Sequence, residues 1–263
     1  PGGRARGRLS EARKRDELRR RLAFFSVNNM RAWNARYGCL RSVTQFRTSL
    51  SFLSDEGAVS LWLRQGELEA ALVSARAWNP AVLHQKLDEF RKLSQIGRPA
   101  RFLPKLKELC AEAGVALVVV RAPAGCRASG ATRLVVPNKA MILLSFRFRA
   151  DDQFWFSFFH EVGHLLLHEA QTFVDDEETV QDDLEREANE FASSCIIPAD
   201  RQAEFERLKP DRDAIVRFSV SVGIAPGLTV GQMQHRRMIG HERLNMLKRR
   251  WTWEEIEAGL TSP

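Results

Sequence analysis

From residue 153 to residue 167 the chain reads QFWFSFFHEVGHLLL, and this run constrains the fold more than any other. As a helix it is apolar nearly all round, and such a helix has to be buried. It nevertheless carries His160, Glu161 and His164, and polar groups persist in an apolar interior only when they are satisfied. His160 and His164 lie one helical turn apart and point the same way, so one divalent cation, usually zinc, satisfies both. Glu161 sits about a third of a turn round from His160. There it can hold a water that zinc acidifies to a pKa of about 7, and take its proton. The pattern implies metal-assisted hydrolysis of a peptide bond. Asp151 or Asp152 is the expected N-cap of a helix over about 152–169.

Such a site needs a third protein ligand and an open fourth position. A histidine six residues beyond His164, following a glycine, would supply it in one class, but Ala170 and Leu167 stand at those places. His168 lies two turns, about 12 Å, along the helix from His160, so it is expected at the helix end or behind the ligands. A carboxylate from the helix at 182–195 remains. There Glu185, Ala188, Asn189 and Ala192 share one face. The alanines permit close approach, and Asn189 can orient a histidine ring through its second nitrogen. Glu185 is the expected third ligand. Glu187 competes with it, although it points about 200° away on an ideal helix. Asp175, Asp176, Glu177, Glu178, Asp182 and Asp183 suit the N-terminus of that helix as solvated charge.

The stretch from Gly114 to Pro198 resembles the ImmA/IrrE family of metallopeptidases. The resemblance rests on Ser-Gly-Ala-Thr-Arg at 129–133, the run 151–168, Glu-Arg-Glu-Ala-Asn-Glu-Phe-Ala at 185–192 and Ile-Ile-Pro at 196–198. Gly-Leu-Thr-Val-Gly-Gln-Met-Gln-His at 227–235 is similar to the family's later helical region. The resemblance implies a gluzincin-like minimal zincin core of class α+β, a small mixed or antiparallel sheet packed on two active-site helices. It also implies cleavage or inactivation of a transcriptional repressor or antitoxin, as in toxin-antitoxin, stress or mobile-element circuits. Many members carry an N-terminal helix-turn-helix and are filed as HigA-like antitoxins. The alternative function is a non-catalytic regulator that uses the same fold for sensing.

The strands can be read locally. Phe102 to Ala113 is an amphipathic helix closed by Gly114. Val115 to Val120 is a buried strand, Ser129 to Val136 a second, and Pro137-Asn138 a turn. Ala140 to Arg149 is the third, with Ile142, Leu144, Phe146 and Phe148 on one face and Ser145, Arg147 and Arg149 on the other. The resemblance places an extended substrate along the edge of this third strand, where main-chain pairing recognises any peptide. Oxyanion stabilisation requires a further donor, for which His235 is the candidate; His84 and His241 read as surface residues.

The remainder frames that core of 101–200. Residues 1–21 carry nine basic and three acidic side chains, a basic linker and the place where the chain could touch nucleic acid. Residues 22–100 read as helical, anchored by Trp33, Phe46, Phe52, Leu61, Trp62, Leu72 and Leu83 and punctuated by Gly66, Asn79-Pro80 and Gly97. They suit a packing scaffold or a homodimer contact. Residues 201–263 form a C-terminal helical region. Within it 211–237 imitates a helix-turn-helix, with Gly223 at the turn, but Pro226-Gly227 is expected to interrupt it. The net charge of +7 favours acidic partners without specifying DNA. No apolar run reaches the roughly 18 residues of a membrane span and no signal peptide is seen, so a cytoplasmic location is expected. Cys39, Cys110, Cys126 and Cys195 lack any paired spacing. The start at Pro1 suggests an upstream portion, expected to hold a helix-turn-helix.

Overall fold

The computed structural model describes residues 10–38, 55–168 and 178–261. The chain divides into two units, Pro1–Val43 and Thr44–Pro263. In the first, helix α1 (Glu11–Phe24) begins inside the basic stretch, capped by the Ser10 side chain, and buries none of its residues. Exposed ion pairs such as Arg20 to Asp16 run along it, each worth a few tenths of a kcal/mol, about 0.3–0.5. Helix α2 (Met30–Trp33) continues into a π-helical turn at Asn34–Gly38. Tyr37 packs there against Phe25 and Trp33. Phe46 and Phe52 lie outside the described residues.

In the second unit α3 (Glu56–Leu72) starts at an Asp55 cap, whose carboxylate accepts from the Gly57 and Ala58 amides. Gly66, expected to break a helix, lies within α3, and Leu143 of the sheet fills the space its β-carbon would take. Trp62 is buried and donates to the Val120 carbonyl at 2.8 Å. Leu61 and Leu72, expected as anchors, face solvent instead, because α3 buries only one stripe. Next come α4 (Pro80–Gln85), capped by Asn79, then α5 (Leu87–Leu93) and α6 (Pro99–Glu112). Leu83 is fully buried. Gly114 ends α6 at φ +80°, where a β-carbon would also strike the Trp78 backbone, so the position is reserved for glycine.

Strands β1 (Val115–Val119), β2 (Gly130–Val136) and β3 (Lys139–Leu144) form one sheet in the order β1-β3-β2. β3 runs parallel to β1, with Val115 opposite Ala140, and antiparallel to β2, with Gly130 opposite Leu144. Two expectations are corrected here. The third strand stops at Leu144: Phe146 and Arg149 both adopt left-handed φ of 50°, and the Arg149 amide returns to the Phe146 carbonyl at 3.0 Å. Residues 145–149 are therefore a tight loop, and the alternation through Phe148 does not lie on a strand. β3 is also the middle strand, hydrogen-bonded on both sides, so it has no edge to offer a peptide. Its residues 140–144 are buried on both faces, since α3 packs on the sheet as does the next helix, α7.

Helix α7 (Asp151–Leu167) carries the histidines. Its N-cap is Ala150, not an aspartate; Asp151 and Asp152 lie buried in the first turn. Asp151 Oδ1 accepts from the Arg249 amide at 3.1 Å, and Asp152 Oδ2 pairs with Lys248 Nζ at 2.7 Å. Burial of this turn against a C-terminal loop shifts the start from the expected one. The helix closes at His168, whose amide bonds to the His164 carbonyl. Aromatic rings lock α7 in place: Phe158 meets Phe90 at 5.1 Å, and Phe154 and Trp155 meet Phe102 at 5.4 and 5.3 Å. Such contacts add about 0.5–1.5 kcal/mol each beyond area burial.

Helix α8 (Glu178–Ile196) packs along α7, with Ala188 and Ala192 fully buried. Then follow α9 (Gln202–Glu206), α10 (Arg212–Val222), α11 (Pro226–His235) and α12 (Trp253–Leu260). α10 and α11 bend by 108° about Gly223 at φ +83°, a helix-turn-helix angle. Pro226 does not interrupt the turn. It occupies the first turn of α11, where proline is favoured. α11 is buried from Gly227 to Val230 and again from Gln232 to Gln234, and packs on α7. Among the described residues no single helix is long and apolar enough to cross a membrane.

Candidate metal centre

Helical spacing on α7 brings His160 Nε2 and His164 Nε2 to 3.0 Å. Glu185 of α8 closes the triangle, its Oε2 at 3.3 Å from His160 Nε2 and its Oε1 at 3.2 Å from His164 Nε2. These three side chains form a group able to hold a metal ion. A tetrahedral ion with ligands at about 2.0–2.1 Å has ligand–ligand edges of about 3.3 Å, so the observed spacing fits one shared cation. The donor chemistry fits as well, since two imidazoles and one carboxylate are a common zinc set.

The approach that places Glu185 is written in small residues. A β-carbon at Gly163 of α7 would press on the Ala188 backbone and on Phe191. With glycine there and alanines at 188 and 192, α8 lies close enough for Glu185 to reach the histidines. Burial alone would raise the Glu185 carboxyl. The hydrogen bonds and charge from His160 and His164 together outweigh it and hold the group at about 2.

Each ligand ring has a partner behind it. Asn189 Oδ1 lies 3.1 Å from His160 Nδ1, as its place on the Glu185 face of α8 led one to expect. His164 Nδ1 lies 3.0 Å from His168 Nδ1, and His168 Nε2 lies 3.1 Å from Glu187 Oε2. His168 thus stands at the helix end and behind a ligand. Glu187 joins this outer pair and takes no part in the metal group. Burial depresses the His168 pKa below the usual imidazole value.

Glu161 is 2% exposed and extends across Gly130 at the start of β2. A β-carbon on Gly130 would collide with the Glu161 carboxylate. The glycine stands within Ser-Gly-Ala-Thr-Arg, yet its task depends on a helix about thirty residues later and is not legible locally. The His168 pairing had a signal, the i, i+4 spacing from His164. Nothing in the sequence signals the contact of Asp152 with Lys248.

His235 is exposed at the end of α11, with its ring 6.0 Å from that of Phe156. It lines a cleft of about 720 Å³ together with Glu185, Asn189, Ser193, Gln202 and Arg236. The oxyanion candidate therefore borders the same opening as the third ligand. His84 and His241 are exposed, as expected. Cys110, Cys126 and Cys195 are unpaired thiols, and burial pushes the Cys195 thiol up to about 12. Cys39 and Asp175 to Glu177 lie outside the described residues.

Comparison with known proteins agrees with this geometry. Residues 115–225, which span the sheet, both site helices and α10, match the family model described as the IrrE N-terminal-like domain, Peptidase_M78. A search of curated proteins returns no match. With that match, and with two histidines and a glutamate gathered as a metal-site group, residues 115–225 are a metallopeptidase domain of the ImmA/IrrE family.

Proposed function

We propose that the domain is a zinc-dependent endopeptidase acting on a partner protein, a DNA-binding repressor or antitoxin. The observation that carries this reading is the ligand triangle of 3.0–3.3 Å edges with a buried glutamate next to His160 on the same helix. His160, His164 and Glu185 would hold the ion. A divalent ion there supplies Lewis acidity, polarising a carbonyl and making water nucleophilic near neutral pH.

The chain's own groups do the rest. The Glu161 carboxylate takes a proton from the attacking water and returns it to the departing amine, a role typically worth 10²- to 10⁴-fold. His235, at the cleft wall, donates to the developing oxyanion. β2 is the strand on which an extended peptide would pair, since it is an edge strand and starts at Gly130, beneath Glu161. Burial of the site and the polar lining of the cleft favour a loop or extended segment over an arbitrary folded surface. The resemblance supplies the repressor or antitoxin as target, and with it a regulatory circuit.

The test is direct. The zinc-loaded protein is incubated with the repressor and toxin-antitoxin proteins encoded beside its gene, and mass spectrometry looks for paired products. Cleavage of one partner by the native protein, absent with Glu161→Gln, supports the reading. Zinc binding with no cleavage of any of them would replace it with a non-catalytic sensor.

A further inference from the structure

Behind His164 the polar atoms form an unbroken line: Glu187 Oε2 is 3.1 Å from His168 Nε2, and His168 Nδ1 is 3.0 Å from His164 Nδ1. His164 Nε2 then faces Glu185 Oε1 at 3.2 Å. We infer that His168 and Glu187 are positioning residues which preset the tautomer and ring orientation of His164, so that its Nε2 lone pair is ready for the metal. The inference rests on the metal reading of the site, and extends it to residues outside the ligand set.

Proton counting along the line carries the argument. An ionised carboxylate only accepts, so the His168 nitrogen beside Glu187 has to carry hydrogen. A neutral imidazole has one N–H and one lone pair, which leaves His168 Nδ1 bare. Two Nδ1 atoms at 3.0 Å share one proton, and it must therefore belong to His164. In the neutral ring that binds the ion, the Nε2 atom of His164 is left with its lone pair. This order starts from the carboxylate of Glu187.

His160 reaches the same state by a shorter route. The Asn189 amide oxygen accepts from its Nδ1 directly. Behind His164 the side chain one turn on, His168, stands in that place and passes the polarity through to Glu187. His168 is almost fully buried, whereas the Glu187 carboxylate is 52% exposed. The line thus runs from the ligand to a half-exposed charge that can be altered with little effect on packing.

The experiment combines chelator-competition titration of zinc with two-bond ¹H–¹⁵N spectra of the histidines, on the full chain. In the native protein His168 is expected as the Nε2–H tautomer and zinc-loaded His164 as Nδ1–H. Glu187→Leu and His168→Leu should each weaken zinc binding on the order of 10- to 100-fold. Glu187→Gln, whose carbonyl still accepts, should restore affinity to within a few-fold. If His168→Leu fails to fold, the two surface variants at 187 still decide. His168 found with hydrogen on Nδ1, or unchanged affinity in Glu187→Leu, would overturn the inference. Failure of the native protein to bind zinc would instead overturn the metal reading itself.

Discussion

The Glu161 carboxylate occupies the space that a β-carbon on Gly130 would fill. The φ of Gly130 is not among the positive ones, so the glycine is there for room rather than for backbone freedom. In Gly130→Ala the buried Glu161 side chain has to shift from its Cγ outward, so the carboxylate must move. A displacement of about 1 Å at a reacting group costs on the order of 100-fold in rate. We expect Gly130→Ala to keep its zinc while losing about that much turnover. Native turnover in this variant would show that the position of Glu161 does not limit proton transfer.

Replacement of His160, His164 or Glu185 by alanine should remove the metal, measured as loss of the roughly one zinc per chain that a site of this kind holds. Glu161→Gln should retain it and lose cleavage by at least about 100-fold. The two outcomes together separate ligand from base. If Glu185→Ala kept full zinc occupancy, the third ligand would have to come from elsewhere.

The metal group was legible because each of its members depends on helical periodicity. An apolar run announced a buried helix, i, i+4 spacing paired the histidines, and Ala188, Asn189 and Ala192 aligned with Glu185 on one face. What escaped depends on contacts between distant segments. Parallel pairing of β1 with β3 puts β3 in the centre of the sheet, and no local pattern distinguishes that from an edge. The alternation from Ile142 to Phe148 continues past the real strand end, because left-handed Phe146 and Arg149 are β-compatible by residue type. Leu61 and Leu72 satisfied a helical count yet fall outside the buried stripe of α3. Lys248 meets Asp152 across 96 positions, and only the folded chain reveals the pair.

Stability should depend on pH through Asp151. Burial, then the neighbouring Asp152 charge, raise its carboxyl from 3.8 to about 7. Below the lower value both folded and unfolded states are protonated and the group contributes nothing. Between the two values the unfolded chain is ionised while the native one holds its proton, so stability falls as pH rises; above about 7 the penalty is constant. Its full size is on the order of 4 kcal/mol. Asp151→Asn keeps an oxygen to accept from the Asp152 and Arg249 amides and carries no charge. In urea unfolding its stability relative to the native protein should rise steadily from pH 4 to pH 7. A pH-independent difference would mean that Asp151 ionises normally in the fold.

A buried carboxylate anchors β2 beside the site. Glu67 of α3 is 3% exposed and bridges two cations, Arg64 Nη1 at 2.9 Å from its Oε2 and Arg133 Nη1 of β2 at 2.7 Å from its Oε1. Removing one partner of a buried pair leaves an uncompensated charge and costs about 3–5 kcal/mol. The Arg64 side chain is 10% exposed and that of Arg133 26%, so Arg133 recovers more hydration than Arg64 when Glu67 is removed. Glu67→Ala should therefore destabilise more than Arg133→Ala, which leaves Glu67 paired with Arg64. The triple replacement Arg64→Met, Glu67→Leu, Arg133→Met should regain most of the loss, because the penalty lies in stranded charge rather than in a missing attraction. Denaturant midpoints of the four proteins test this order. Equal losses in Glu67→Ala and the triple variant would place the energy in the attraction instead. Since Arg133 lies three residues beyond Gly130 on β2, Glu67→Ala should also lower turnover at temperatures where the protein remains folded.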